Sequence, residues 1–131
     1  MRLDTIELPD DLFWSDETAP WAVGQSVTTT LTGALVIQEG ARQAGRPITL
    51  ESGRGSDDLF ACVPRSTVDA LLVLANTAGA AAMSLQIEGR APIAVRFRHT
   101  DGVAVDAAPV IVISPFVESD WYHLTLRLMQ V

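Results

Sequence analysis

A chain of 131 residues is long enough to bury the core of one domain. Its 48% of hydrophobic and 19% of charged residues exclude a disordered chain. The net charge of −7 argues against nucleic-acid binding, which depends on neutralising phosphates.

The chain opens with an acidic segment. Six acidic residues and one basic residue, Arg2, fall in the first 20 positions, interrupted by residues 12–14 and closed by Pro20 and Trp21. Leaving large side chains such as Phe13 and Trp14 exposed forfeits roughly 1.5–3 kcal/mol each, so a simple linker is disfavoured. Either an irregular arm packs on its own domain or on a neighbour, or residues 5–8 form an edge strand. We divide the chain into this arm, residues 1–25, and a β-sandwich-like domain, residues 26–131.

Residues 26–38 are rich in threonine and β-branched side chains, which favours a strand. Leu31, Leu35 and Ile37 fall on one face, with Gly33 between them where another backbone can approach closely. A polar connection over 38–46 leads to Ile48 and the following apolar position. This spacing predicts a hairpin with a long tip, in which 48–50 is the return strand.

A polar loop over 51–58 precedes the clearest helix signal. Ser66 and Asp69 have the spacing of a capping box, although glutamate or glutamine is usual at the later position. Apolar residues then recur at helical spacing over 68–75, at Val68, Leu71, Leu72 and Ala75. The pattern predicts a helix over 66–75 that stops at Asn76 or shortly after.

Residues 83–99 alternate between apolar and polar side chains around a turn at 89–92. Because successive side chains of a strand point to opposite faces, this predicts a hairpin with one buried face. Further strands are predicted over 103–107, 110–113 and 122–130, and Pro109 and Pro115 place the middle one at an edge or bend. About seven strands and one helix predict a mainly β (α+β) domain, an antiparallel β-sandwich or partial barrel whose open side the helix covers.

No local motif supports catalysis. Cys62 lies in an apolar run without a histidine nearby in sequence, and His99 and His123 have no carboxylates at metal-ligand spacing. Residues 40–45 resemble the start of a phosphate loop, but Arg46 and Pro47 replace its lysine and hydroxyl residue. The glycines of 53–56 could cradle an anion, yet two acids follow, and the acid pairs at 10–11 and 57–58 suit a solvated surface. We expect no enzyme activity, no cofactor, no metal and, with no long apolar run, no membrane span.

All nine basic residues are arginine, which either a GC-rich genome or a protein interface explains. Arg96 and Arg98 share a strand face, Arg90 lies in the turn beside them, and Arg127 is on the polar face of the last strand. On neighbouring strands they would form a positive patch. This patch is either an ordinary solvated sheet face or an interface that the acidic arm of an adjacent copy complements.

Several segments together resemble the distal tail proteins of tailed phages. They are a strand at 31–39 leading through a loop into Gly45-Arg46, Ile48 and Leu50, and then segments 68–75, 85–90, 95–98 and 122–129. The likeness spans roughly residues 26–131. Two features depart from the family pattern: many members carry a further C-terminal domain, and the acidic arm has no counterpart.

The resemblance implies a non-enzymatic virion component with a β-sandwich-like core, made in the bacterial host cytoplasm. Such a protein of a phage or prophage tail would form a homo-oligomeric ring and join the tail tube to baseplate neighbours such as the hub and tape-measure proteins. The expected contact residues are aromatics and arginines, which dominate interface hot spots: Trp14, Trp21, Arg90, Arg96, Arg98, Trp121, Tyr122 and Arg127. The alternative from another class is a ligand- or glycan-binding β module using Trp121 and Tyr122. An enzyme or a small regulator of a host system ranks lower.

Overall fold

The computed structural model describes residues 1–53, 59–112 and 114–131. Within these ranges the chain forms eleven strands and one helix. In chain order they are β1 (Arg2–Leu3), β2 (Ile6–Glu7), β3 (Phe13–Trp14), β4 (Val23–Thr29), β5 (Leu35–Ala41), β6 (Pro47–Glu51), β7 (Val63–Pro64), α1 (Arg65–Ala75), β8 (Met83–Gln86), β9 (Ile93–Phe97), β10 (Val105–Pro109) and β11 (Trp121–Gln130). The predicted class, a mainly β and sandwich-like fold with one helix, is confirmed.

The longest strand, β11, organises the main antiparallel sheet. The strand order runs β2-β1-β8-β9-β11-β6-β3, and β7 and β10 also pair with β11. Leu124, Leu126 and Leu128 of β11 are fully buried, as their alternation predicts. Burying each such side chain contributes about 1.5–3 kcal/mol. This one strand therefore supplies much of the core.

The hairpin predicted over 83–99 is confirmed as β8 and β9. Met83 pairs with Val95 and Leu85 with Ile93. Leu85 and Val95 are fully buried, while Arg96 between the buried positions of β9 is exposed.

The helix α1 begins one residue before the predicted start and ends as predicted, with Asn76 as its C-cap. Val68 and Leu71 face the core, whereas Leu72 is 36% exposed. The predicted capping box does not form. The N-cap is Pro64, no described side chain caps the helix N-terminus, and Asp69 instead accepts a hydrogen bond from Arg65 Nε at 3.0 Å.

The predicted hairpin between residues 26–38 and 48–50 is wrong. Strand β5 pairs with β4 in a separate two-stranded sheet, and β6 pairs with β11 and β3. Gly33 lies in the turn between β4 and β5 at a φ of +83°, and a Cβ added there would meet nothing within 4 Å. This glycine therefore serves the turn conformation, not the close approach of another backbone.

The predicted strand over 110–113 is also wrong for 110–112, which form no strand, and Ile113 lies outside the described residues. The strand predicted over 103–107 occurs two residues later, as β10, and ends at Pro109. Val110 N–H still donates to the Trp121 carbonyl at 3.0 Å, so contact with β11 continues one residue past Pro109.

The acidic arm joins the main sheet through its first 14 residues. Strand β1 pairs with β8, β2 pairs with β1 at the sheet edge, and β3 pairs with β6. Leu3, Leu8, Leu12 and Trp14 are buried in the common core. The arm thus packs on its own domain, and the edge strand expected within 5–8 is β2.

Candidate interaction surfaces

The structure brings two of the predicted arginines, Arg98 and Arg127, together, but their guanidinium groups already have partners within the chain. Arg98 N–H donates to the Arg127 carbonyl at 2.9 Å, so Arg98, the residue after β9, lies beside Arg127 of β11. Arg127 Nη1 donates to the Val103 carbonyl at 2.6 Å. Arg98 Nε bonds to Asp101 at 2.7 Å, and its Nη1 lies 4.0 Å from Asp16 Oδ2.

Residues of the acidic arm of the same chain bind the arginines of the main domain. Glu17 forms an ion pair with Arg90, and its carbonyl accepts a hydrogen bond from Arg46 Nη2 at 2.7 Å. Asp16 approaches Arg98. An arm from an adjacent copy is therefore not needed to complement this row. Arg96 is exposed and remains accessible on the sheet face.

Trp14, predicted as a contact residue, is only 7% exposed and packs in the interior of the domain. The guanidinium carbons of Arg46 and Arg90 lie 4.9 and 5.3 Å from its ring centroid. Its Nε1 donates to Asp16 Oδ1 at 2.7 Å. This cation–π and hydrogen-bond cluster holds the arm on the domain, so Trp14 offers no surface to a partner.

Trp121 and Tyr122 lie in different environments, because neighbouring side chains of β11 point to opposite faces of the strand. Tyr122 is buried, and its hydroxyl accepts a hydrogen bond from Arg65 Nη1 at 3.0 Å. That bond and the Asp69 carboxylate raise the pKa of Arg65. Trp121 is 58% exposed, and Trp21 is half-buried just before β4. Of the predicted aromatic contact residues, only Trp121 presents most of its side chain to solvent.

Trp121 borders a shallow apolar cavity of about 310 Å³. We call its lining the Trp121 patch: Leu59, Phe60, Ala61, Cys62, Val110 and Trp121. Leu59 is 56% exposed and Phe60 39%. Exposed apolar side chains gathered in one place, unlike scattered ones, mark binding surfaces.

A second apolar surface is the hairpin of β4 and β5, which the sequence analysis missed. Val27 pairs with Ile37 and Thr29 with Leu35, so these four side chains share a face with Val23 and Ala41. Val27, Leu35 and Ile37 are 53%, 62% and 56% exposed. The pair of Gln25 and Glu39 lies on this face too, and the opposite face carries Ser26 with Gln38 and Thr28 with Val36. We call this hairpin, with Leu31 fully exposed at its tip, the apolar hairpin.

The structure brings one histidine to the cysteine, which the sequence analysis did not foresee. Cys62 Sγ lies 3.9 Å from His123 Nδ1. Desolvation, and next the charge of Asp11, raise the pKa of the Cys62 thiol. A nucleophilic cysteine needs the opposite shift, so this pair is not an activated dyad.

The other polar candidates do not converge. In the described ranges no group of three His, Cys, Asp or Glu side chains could hold a metal. Asp10 pairs with the Met1 ammonium group, and Gly40 faces Gly24 across the apolar hairpin. Residues 54–58, which include one acid pair and all of the predicted anion loop (53–56) except Gly53, lie outside the described residues. No helix among the described residues is long and apolar enough to cross a membrane.

Comparison with known proteins returns no match: no protein family, no curated protein and no solved structure is detectably similar to this chain.

The sequence contained one signal for the apolar hairpin. Residues 30–34 combine threonines with Gly33, a composition typical of a turn, and apolar residues lie on both sides of it, at Val27 before and at Leu35 and Ile37 after. Gly33 lies within the strand predicted over 26–38, so that prediction conceals the turn.

Proposed function

We propose that this chain is a non-enzymatic structural protein of a phage or prophage tail, a distal tail or baseplate component that self-associates and connects the tail tube to tail-tip proteins. The observation that carries the proposal is the apolar hairpin, whose face of Val27, Leu35 and Ile37 is exposed in the isolated chain. Assembly proteins keep such surfaces for their neighbours.

The order of elements agrees with the resemblance to distal tail proteins: β5, β6, α1, the β8–β9 hairpin and the closing strand β11. The pairing implied for the opening hairpin differs, because β5 pairs with β4 rather than with β6. The resemblance therefore supports the proposal through element order and not through strand pairing.

The proposal is tested in the phage or prophage that encodes the chain. Antibody labelling of purified particles, viewed by electron microscopy, is expected to mark one end of the tail tube. The genes for the tape-measure and hub proteins are expected to flank the gene. In vitro, light scattering is expected to give a mass several times that of the 14.1 kDa chain. Particles that lack the protein, or a strictly monomeric chain, overturn the proposal.

One observation favours a second candidate function, a glycan-binding module. Trp121 is largely exposed beside the 310 Å³ cavity, and aromatic faces stack on sugars. Tyr122, the other residue expected to contribute, is buried and cannot take part. Binding on a glycan array that disappears with Trp121→Ala supports this function, and an array without hits removes it.

A further inference from the structure

Another cavity lies at the open end of the β8–β9 hairpin and shares no residue with the apolar hairpin or the Trp121 patch. Its volume of about 570 Å³ is within the range of about 300–1,000 Å³ that is usual for small-molecule sites. We call it the Arg96 cavity, and it is lined by residues 74–83, Asp4, Arg96, Phe97 and His99. Met83 and Val95 form the last pair of the ladder, so the cavity lies between the chain segments that continue beyond this pair.

The guanidinium group of Arg96 has no partner in the described part of the chain. The side chain is exposed and lines the cavity. Arg98, two residues later, instead uses its guanidinium group on Thr49, Asp101 and Leu128. The fork of Arg96 is therefore able to hold both oxygens of a carboxylate, the bidentate geometry that arginine favours. His99 lines the same cavity and can donate one more hydrogen bond to the anion.

One acid limits the charge of the ligand. Asp4 flanks β8 on the side of β1, and its Oδ1 accepts the Ser84 backbone N–H at 2.7 Å. Arg96 lies in β9, on the other side of β8, so two strand spacings, or about 9–10 Å, separate the backbones of Asp4 and Arg96. A single carboxylate can bind Arg96 without contacting Asp4. Asp4 and the net charge of −7 repel a dianion such as a phosphate monoester more strongly.

Most of the remaining lining is apolar. Leu74 is half-buried, Met83 and Phe97 are buried, and alanine methyl groups follow at 75, 78 and 80–82. The carbonyls of the last turn of α1 accept hydrogen bonds from Asn76 and Thr77, so they do not compete for the arginine. The lining thus combines one available cation with a wall that suits a short hydrocarbon chain.

We propose that the Arg96 cavity binds a small organic monocarboxylate. The carboxylate binds the Arg96 guanidinium group, and the apolar chain of the ligand packs against Leu74 and the alanine methyl groups. Such a site adds to the proposed tail function and does not depend on it.

The first experiment titrates the full chain with sodium hexanoate and follows the backbone amides by proton–nitrogen NMR. Saturable shifts are expected over 74–83 and 96–99. Butyrate and acetate are expected to bind more weakly, by about four-fold for each CH₂ group removed. Hexanol and hexylammonium have the same chain without the carboxylate, and they are expected to bind about ten-fold more weakly than hexanoate or worse.

The second experiment repeats the hexanoate titration with variants of the cavity. Arg96→Gln is expected to weaken binding by about ten-fold or more. Arg42→Gln is the matched control, because Arg42 is also exposed but lies outside the cavity, and it is expected to bind like the wild type. Ala81→Phe fills the cavity at an exposed position and is expected to abolish the saturable shifts.

Asp4→Asn distinguishes the class of ligand. It keeps an acceptor oxygen for Ser84 and removes a negative charge about 10 Å away, so hexanoate is expected to bind about two-fold more tightly. Free leucine, a zwitterion, would instead use Asp4 for its ammonium group. Leucine that binds the wild type more tightly than hexanoate and loses affinity in Asp4→Asn overturns the assignment to a monocarboxylate.

The dipeptide N-acetyl-leucyl-valine represents the carboxyl terminus of a protein. If it binds about ten-fold more tightly than hexanoate, the cavity takes a protein terminus and the assignment to a small acid is overturned. Hexanoate shifts that Arg96→Gln and Ala81→Phe leave unchanged overturn the site itself, and so does the absence of saturable shifts at millimolar hexanoate. None of these outcomes bears on the tail function, which particle labelling and light scattering test separately.

Discussion

Asp16 binds Thr49 twice: its Oδ1 accepts the Thr49 backbone N–H at 2.9 Å and its Oδ2 accepts the Thr49 hydroxyl at 2.9 Å. The same Oδ1 accepts Trp14 Nε1 at 2.7 Å. One carboxylate of the acidic arm thus holds a buried aromatic side chain and a strand of the main sheet together. The arm's acidity, which the sequence suggested for contacts between copies, is used largely inside the chain.

Removing this carboxylate is expected to loosen the arm. Asp16→Ala leaves the Trp14 and Thr49 N–H groups without their acceptor, which destabilises the fold by about 2–4 kcal/mol. Asp16→Asn keeps one acceptor oxygen and is expected to lose less than half of that. Urea denaturation followed by tryptophan fluorescence measures both, with Glu88→Ala on the exposed surface as the control. Equal stability of Asp16→Ala and Glu88→Ala contradicts the role of the cluster.

Arg96 in β9 and Arg98 just after this strand, two residues apart, provide a matched pair. Arg98 uses its guanidinium on Thr49, Asp101 and the Leu128 carbonyl, whereas Arg96 is exposed. Lysine lacks the planar fork that makes several bonds at once. Arg98→Lys is expected to lower the free energy of unfolding by about 1–2 kcal/mol, and Arg96→Lys to stay within about 0.5 kcal/mol of the wild type. Chemical denaturation of the two variants side by side measures this difference. Indistinguishable unfolding midpoints would contradict the structural role of the Arg98 guanidinium.

Substitution of two leucines tests the core and the apolar hairpin separately. Leu126 is fully buried in β11, and Leu31 is fully exposed at the hairpin tip. Leu126→Ala is expected to cost about 2–5 kcal/mol through lost burial and a residual cavity. Leu31→Ala is expected to leave the stability of the monomer unchanged within about 0.5 kcal/mol. Thermal unfolding at low protein concentration tests both, and a destabilised Leu31→Ala would mean that the hairpin tip packs on the domain.

The environment of Cys62 predicts a thiol that reacts slowly with alkylating reagents. Desolvation and the Asp11 charge raise the thiol pKa, so at a given pH the folded protein holds less thiolate than the unfolded chain. Alkylation by iodoacetamide at pH 8 is expected to be slower in the native protein than in urea, and its pH profile is expected to lie at higher pH.

Asp11→Asn removes a negative charge that disfavours the thiolate, so it is expected to shift the native profile to lower pH. Glu88→Gln serves as the control for a charge change elsewhere. A native profile that lies below the unfolded one would contradict the assigned environment.

The strands with one buried face could be predicted from the sequence, because apolar and polar residues alternate along them according to which face is buried. Leu85 and Val95, and the leucines of β11, are examples. Partner choice could not be predicted in the same way. Ile48 and Leu50 alternate correctly, but their partners Leu128 and Leu126 lie far along the chain, and the pattern of one strand does not specify its neighbour.

The candidate surface was predicted only in part for a related reason. Aromatics and arginines are enriched both in interfaces and in ordered interior clusters, so residue type did not distinguish Trp121 from Trp14 or Arg96 from Arg98. Asp16 of the acidic arm, Thr49 of β6 and Leu128 of β11 engage Trp14 or Arg98, and only the folded chain brings these residues together.

An isolated pair of strands is at best marginally stable in water, because it lacks a packed face to hold it. The apolar hairpin is such a pair, and its backbone amides are therefore expected to exchange with deuterium within seconds, while those of β11 persist for hours. Association would then appear as slowed exchange over 23–41, and the hairpin would acquire its rigidity from the neighbour it joins rather than from its own domain.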